Sequence, residues 1–232
     1  LGVFGPKSRN LMSELSNDDF SNKDFKFGTS KEIKINNKKI WAQRLSYVGE
    51  LGFELYIKMD ESKEIFNLIV DKGKEFNISH CGVHAMDTMR MESGYLHWGH
   101  DMSPEENQYQ AGLGFAVSYK KNIDFIGKDS LVKLKEKNPS KKLIMLALEK
   151  SSPGNPLLLH DEPIYYKDKI IGRTTSGNYS FCFKKNLSFG YIKSDYVDQI
   201  LKNGKVFIEV EKTKYPATIL HKPLNNKDIK SI

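Results

Sequence analysis

Apolar and polar positions alternate with the period of a strand between residues 32 and 57. Glu32-Ile33-Lys34-Ile35 has one side apolar and the other charged, Asn36-Asn37 is a turn pair, and Lys39 to Ser46 returns as a second strand. Arg44 to Ile57 reads as an extended entry, a glycine-punctuated turn from Gly49 to Gly52, and a strand from Phe53 to Ile57. Glu54 is the charged member of that strand, and alternation sets it on the face opposite Phe53 and Leu55. On a solvated face it is an ordinary exposed carboxylate. On a face that lines a pocket it is an acceptor at the bottom of a cleft.

Other segments follow the helical period. Gly5-Pro6-Lys7-Ser8-Arg9 turns into a short helix carrying Leu11, Met12 and Leu15. Ile65, Phe66, Leu68, Ile69 and Phe76 recur at helical spacing between Ser62 and Phe76, as on an amphipathic helix packed against a sheet. A further helix runs from Gly82 towards Gly94, with Val83, Met86 and Met89 expected in the core. Its Arg90 and Glu92 lie two apart and do not face each other, leaving each to pair elsewhere. Phe125 to Lys137 contains another short helix, and Asn138-Pro139-Ser140 is a linker signal.

Beyond the linker the texture changes. Residues 142–148, 163–167, 170–176, 187–192, 206–210 and 215–220 are short strand-like runs separated by turn residues, which predicts a small antiparallel barrel or sandwich. The fold class is α+β: an antiparallel sheet with packed helices over residues 1–137, followed by a small C-terminal antiparallel β-barrel domain over residues 138–232.

Composition narrows the function classes. The 232 residues are 39% hydrophobic and 28% charged, as in a soluble globular protein, and no long apolar run predicts a membrane span. Leu1 to Lys7 lack the features of a signal peptide, and opening on Leu1 rather than Met is expected of a fragment of a longer chain. The net charge of +7 rests on lysine, since Arg9, Arg44, Arg90 and Arg173 are the only arginines. Base and phosphate recognition leans on the arginine fork, so the excess reads as a solvated lysine surface and nucleic acid is not an expected partner. Cys81 and Cys182 form no CxxC pair, and free thiols in a reducing cytoplasm are expected. His97-Trp98-Gly99-His100-Asp101 has metal-ligand residue types, but Gly99 opposes a regular helix and no further histidine–carboxylate cluster is close in sequence; no metal is assigned.

Several motifs together resemble one family. Ser46-Tyr47-Val48-Gly49-Glu50-Leu51-Gly52-Phe53-Glu54-Leu55 is similar to the folate-site segment of the glycine-cleavage T-protein (aminomethyltransferase) superfamily. The likeness is nearest to the C-terminal folate module of dimethylglycine and sarcosine dehydrogenases. Gly5-Pro6 through Phe27 resembles the family's GP-x-S-R…SN…F-x-F region, Gly82 to Tyr95 its G-x-H-A-L-x-S-L-R-M-E-K-G-Y helix, and residues 97–101 the H-W-G-H-D of the dehydrogenase branch. Ala111 to Val117 resembles the family's E-A-G-L-G-F-A-V strand, and Ile171 to Gly177, Gly190-Tyr191-Ile192 and Tyr215-Pro216-Ala217 resemble its C-terminal barrel.

The resemblance implies a partial folate-binding domain, with further chain before Leu1, that binds tetrahydrofolate and takes part in aminomethyl or methylene transfer. Glu54 falls on the glutamate that accepts the pterin N–H groups, Tyr47 on a pocket tyrosine, and Tyr95 on a position for a pocket aromatic. Read as residues alone, Glu54 is equally a surface salt-bridge partner and both tyrosines are core packing. The family's folate-tail arginine corresponds to Met86, as in the dehydrogenase branch, and its catalytic aspartate corresponds to no residue here, so the catalytic group is unknown. The implied partners are folate, a methylamine-type donor, and a separate FAD-binding domain or N-terminal segment, because no GxGxxG fingerprint occurs in this chain. The alternatives are a non-catalytic folate-binding or scaffold protein and a folate-dependent demethylase of the same fold. The K-G-C-Y-x-G-Q-E motif of the iron–sulfur branch is absent. A first domain that begins at Leu1 is further expected to expose apolar surface and strand edges.

Overall fold

The computed structural model describes residues 1–121, 123–203 and 205–231. Contacts divide the chain into two compact units, Leu1–Ser93 with Asn225–Ile232, and Gly94–Leu224.

The first unit contains β1 (Gly2–Phe4), α1 (Ser8–Leu15), β2 (Ser30–Ile35), β3 (Lys38–Gln43), β4 (Gly52–Tyr56), α2 (Met59–Gly73) and α3 (Val83–Glu92). Its four strands form an antiparallel sheet in the order β1-β4-β3-β2. Asn36 and Asn37 both take positive φ, 47° and 62°, which lets a two-residue turn join β2 to β3 with a twist that matches the strands. The hairpin register then pairs Ile33 with Ile40, and both side chains are buried. The return strand is shorter than its alternation predicts and ends at Gln43, because the chain leaves the sheet to form the loop before β4.

One face of this sheet carries the core. Ile33, Ile35, Ile40, Ala42, Phe53 and Leu55 pack with Leu11 and Met12 of α1 and Ile65 and Ile69 of α2. Phe20, Phe25 and Phe53 meet with ring centroids 5.3–6.0 Å apart, including an edge-on Phe20–Phe53 contact. Asp60 and Glu61 in the first turn of α2 and Lys72 in its last oppose the helix dipole favourably.

Helix α3 forms where its period predicts, but with another face inward. Val83 is exposed and Met86 and Met89 are only half-buried, while Thr88, Arg90, Met91 and Glu92 are buried. Burial of Arg90 is compatible with its charge because Asp87, one turn earlier, accepts from Nε at 2.7 Å.

The second unit contains α4 (Lys128–Lys135), β5 (Lys141–Leu148), β6 (Pro163–Tyr166), β7 (Lys169–Ser180), β8 (Lys185–Lys193), α5 (Ser194–Asn203), β9 (Lys205–Val210) and β10 (Thr213–Leu220). The six strands close into an antiparallel barrel in the order β10-β5-β8-β7-β6-β9. Closure removes free strand edges, and the interior is filled by Leu146, Leu148, Ile164, Ile171, Ile192, Val206, Ile208 and Ala217. The strand expected within Ala111–Val117 is instead a single 3-10 turn at Gly114–Ala116, held by bonds from Ala116 N–H to Leu113 O and Val117 N–H to Gly114 O. No ladder partner faces it among the described residues, so local bonds take the place of a sheet.

Packing and texture divide the chain at different points. Composition changes at the Asn138-Pro139-Ser140 linker, whereas residues from Gly94 onward pack in one unit with the barrel. The Leu143 N–H donates to Gln110 O at 2.8 Å, and Lys141 reaches Glu106 at 2.6 Å.

Phe53 anchors the aromatic cluster of the first unit. Phe53→Ala is expected to cost about 3–5 kcal/mol, as for other fully buried aromatic truncations. Urea unfolding of the two proteins measures it as a lower midpoint with an unchanged slope.

Candidate functional site

Strand β4 has two different sides. Phe53 and Leu55 enter the core, so Glu54 and Tyr56 project from the open face of the sheet. Register places Gln43 of β3 and Gly2 of β1 on either side of Glu54, and Trp41 beside Tyr56. The Tyr56 hydroxyl donates to Glu54 Oε2 at 2.9 Å and lies 3.4 Å from Gln43 Oε1. Donation into the carboxylate, and then its charge, raise the Tyr56 phenol above its ordinary value. Trp41 and Tyr56 are 48% and 54% exposed, so two large rings stand beside a half-buried carboxylate with little else over them.

A third ring belongs to the same face. Phe4 pairs with Gly52, and a Cβ built on Gly2 or Gly52 would lie 2.3 or 2.2 Å from the Phe4 ring. The two glycines thus let Phe4 lie flat across β1 and β4, next to the strand position that carries Glu54.

The loop from Arg44 to Leu51 is anchored at both ends. Arg44 exchanges backbone bonds with Gly28 and Thr29, and Leu51 O accepts from the Gly5 N–H and the Ser8 hydroxyl. Gly49 takes φ 68° at its turn, and a Cβ there would lie 1.9 Å from Ser93 Oγ, so both conformation and space require glycine. Asn225 completes the turn by donating its side-chain amide to Gly49 O at 3.2 Å and Ser93 Oγ at 3.0 Å, while Lys227 pairs with Glu50. Tyr47 lies half-buried in this loop, in the same unit as Glu54.

Tyr95 belongs to the second unit. It follows Gly94, which takes φ 74° and ends the turn after α3, and burial pushes its phenol up. The nearby Asp101 is fully buried and engaged: Oδ1 accepts from the Thr175 and Ser176 hydroxyls at 2.6 and 2.7 Å, and Oδ2 from the His97 N–H at 2.9 Å. Its backbone carbonyl accepts from the Tyr191 hydroxyl at 2.9 Å. The His97 to Asp101 segment is therefore a carboxylate-stapled turn, with Gly99 at φ 88°.

Sequence reasoning placed Glu54 and missed the residues around it. Tyr56 neighbours Glu54 on its own strand, while Gln43, Trp41 and Phe4 join the face through strand register. The available signal was the shared alternation of β3 and β4, which puts residues 41, 43, 54 and 56 on one face once the two strands are paired.

Comparison with known proteins gives the family and the fold. The GCVT N-terminal domain matches residues 1–121, and the glycine cleavage T-protein C-terminal barrel domain matches residues 141–225. This chain belongs to the glycine cleavage T-protein family. Human mitochondrial dimethylglycine dehydrogenase is 36% identical over 228 residues, covering 97% of this chain and 25% of that protein. An aminomethyltransferase of Geobacillus sp. (strain WCH70) is 32% identical over 223 residues, covering 96% of this chain and 59% of that one. The chain thus spans about a quarter of the length of the dehydrogenases it matches. The crystal structure of the glycine cleavage system aminomethyltransferase T from Bartonella henselae superposes with a TM-score of 0.80 at 20% identity, over 95% of this chain and 57% of that one, and so shares the fold.

Asp101 is a structural member of its family motif here. Asp101→Ala removes the acceptor for two hydroxyls and one amide, at about 1–3 kcal/mol for each donor left unsatisfied. A thermal unfolding scan should show a clear fall in Tm, and a midpoint equal to that of the parent would refute the stapling role.

Proposed function

We propose that this chain is a tetrahydrofolate-binding, aminomethyltransferase-like module of one-carbon transfer, working in a protein related to dimethylglycine or sarcosine dehydrogenase. The observation that carries the reading is Glu54. It projects half-buried from the open face of β4 beside Tyr56 and Trp41, with Phe4 laid across the adjoining strands.

The residues present suit a flat, donor-rich heterocycle. A carboxylate accepts two parallel N–H groups as it does from an arginine fork, which sets orientation together with affinity. Aromatic rings offer apolar faces on which a bicyclic ring or an aminobenzoyl group packs. In this reading Glu54 holds the pterin edge, and Tyr47 contributes an aromatic wall. Tetrahydrofolate, when bound, supplies the ring amines that take up the one-carbon unit. The chain's part is to bind and orient it, so that proximity does most of the catalytic work.

Proton handling is not given to any carboxylate of this chain. Asp101 stands closest to a family motif, and its side-chain oxygens are taken up by Thr175, Ser176 and the His97 amide. The names of the dehydrogenase relatives support an oxidative step elsewhere in a longer protein. We assign that step to a separate FAD-binding part, which delivers an iminium from a methylamine-type donor.

Calorimetry with tetrahydrofolate on the parent chain and on Glu54→Gln tests the reading. Loss of the charge-assisted pair is expected to cost about 1.5–3 kcal/mol, or roughly ten- to hundredfold in Kd. Equal affinity in the two proteins would remove Glu54 from the site, and no binding by the folded parent would remove the folate reading from this chain.

A further inference from the structure

We propose that Tyr56 is a positioning residue that holds the Glu54 carboxylate in one orientation for a ligand edge bearing two adjacent N–H donors. The inference rests on the folate reading above and adds a residue to it. Residues 54 and 56 are two apart on one strand, so their side chains share the open face. Their hydrogen bond of 2.9 Å is local and needs no other element to bring the groups together. Gln43, the β3 partner of Glu54, places its side-chain oxygen 3.4 Å from the same hydroxyl and borders the pair on the other side.

Tyr56 has little structural reason to be there. More than half of it is exposed, and the core on the other face of the sheet is filled by Phe53, Leu55, Ile40 and Ala42. What its hydroxyl does is occupy one acceptor position of Glu54 Oε2. An ionised carboxylate offers about four such positions, so Oε1 and the rest of Oε2 stay open to a bidentate donor. A glutamate on an open face samples many rotamers, and a ligand that needs one of them must order the side chain as it binds. A phenol already bonded to the carboxylate makes part of that ordering a property of the free protein. The same bond, and then the charge of the carboxylate, hold the Tyr56 phenol above its ordinary value.

A double-mutant cycle tests the inference. Tetrahydrofolate binding is measured by calorimetry for the parent, Tyr56→Phe, Glu54→Gln and the double variant, with circular dichroism to establish that all four are folded. Tyr56→Phe is expected to weaken binding about two- to tenfold in the parent, the scale of one side chain left to be ordered. It should have no further effect once Glu54 is Gln, because its action passes through the carboxylate. The same loss in both backgrounds would show Tyr56 acting on the ligand by itself, and no loss in either would show it idle. Either result overturns the inference and leaves the folate reading standing. Absence of binding by the parent overturns the folate reading and this inference with it. A readout independent of folate is the ring-carbon NMR titration of labelled tyrosine. The Tyr56 midpoint should fall towards the ordinary phenol value in Glu54→Gln, and an unmoved midpoint would sink the proposed bond.

Discussion

The one-sided burial of β4 is the constraint on which the first unit depends. Phe53 and Leu55 both enter the core, where Phe53 meets the rings of Phe20 and Phe25 and both strand residues pack in one cluster with Ile65 and Ile69 of α2. A strand has a period of two, so this demand expels Glu54 and Tyr56 to the other side. A one-residue slip would bury a carboxylate and expose two apolar side chains, which makes the register strongly specified. The sheet therefore needs no separate device to hold its glutamate outward. The same packing that stabilises the domain orients the open face.

Neighbouring strands surround that outward carboxylate with an amide and aromatic rings. Pairing with β3 delivers Gln43 and Trp41, and pairing with β1 delivers Phe4 across two glycines. The approach to β4 is fixed from both ends, by the backbone bonds of Arg44 and Leu51 and by Asn225 at the Gly49 turn. Since Tyr47 lies between these anchors, its placement follows from a loop with little freedom. Precision at the face thus comes from ladder hydrogen bonds and from a turn pinned by the Asn225 side chain.

Much of this was legible along the chain. The hairpin at Asn36-Asn37, the outward Glu54, helix α2 and the strand-rich C-terminal region all leave local patterns. Three features did not follow. Val83, Met86 and Met89 share helical spacing, yet α3 buries Thr88, Arg90 and Met91 instead, because a short helix with apolar residues on several sides has no single face that period alone selects. Ala111 to Val117 has the composition of a strand, and a strand requires a partner that composition does not reveal. Helix α5 had its signals in Ser194-Asp195 followed by Val197 and Ile200, hidden within a run otherwise read as short strands. Trp41 and Phe4 reach the Glu54 face through cross-strand register, which the sequence shows only once the strands are paired.

Two acidic side chains show how environment divides the labour. Asp101 is fully buried and receives two hydroxyls and an amide; a carboxylate satisfied in this way is a fixed strut, and moving a proton to it would break the bonds that make its burial tolerable. Glu54 has the opposite setting. It is half-buried on an open face, and among the described residues a phenol hydroxyl from its own strand engages one of its oxygens. Its acceptor capacity is therefore only partly spent, and the spent part serves to orient the remainder. Sequence alone singles out Glu54 by its motif and leaves Asp101 without a role. The donors around each separate a carboxylate whose acceptor positions are taken up within the fold from one whose positions stay largely open.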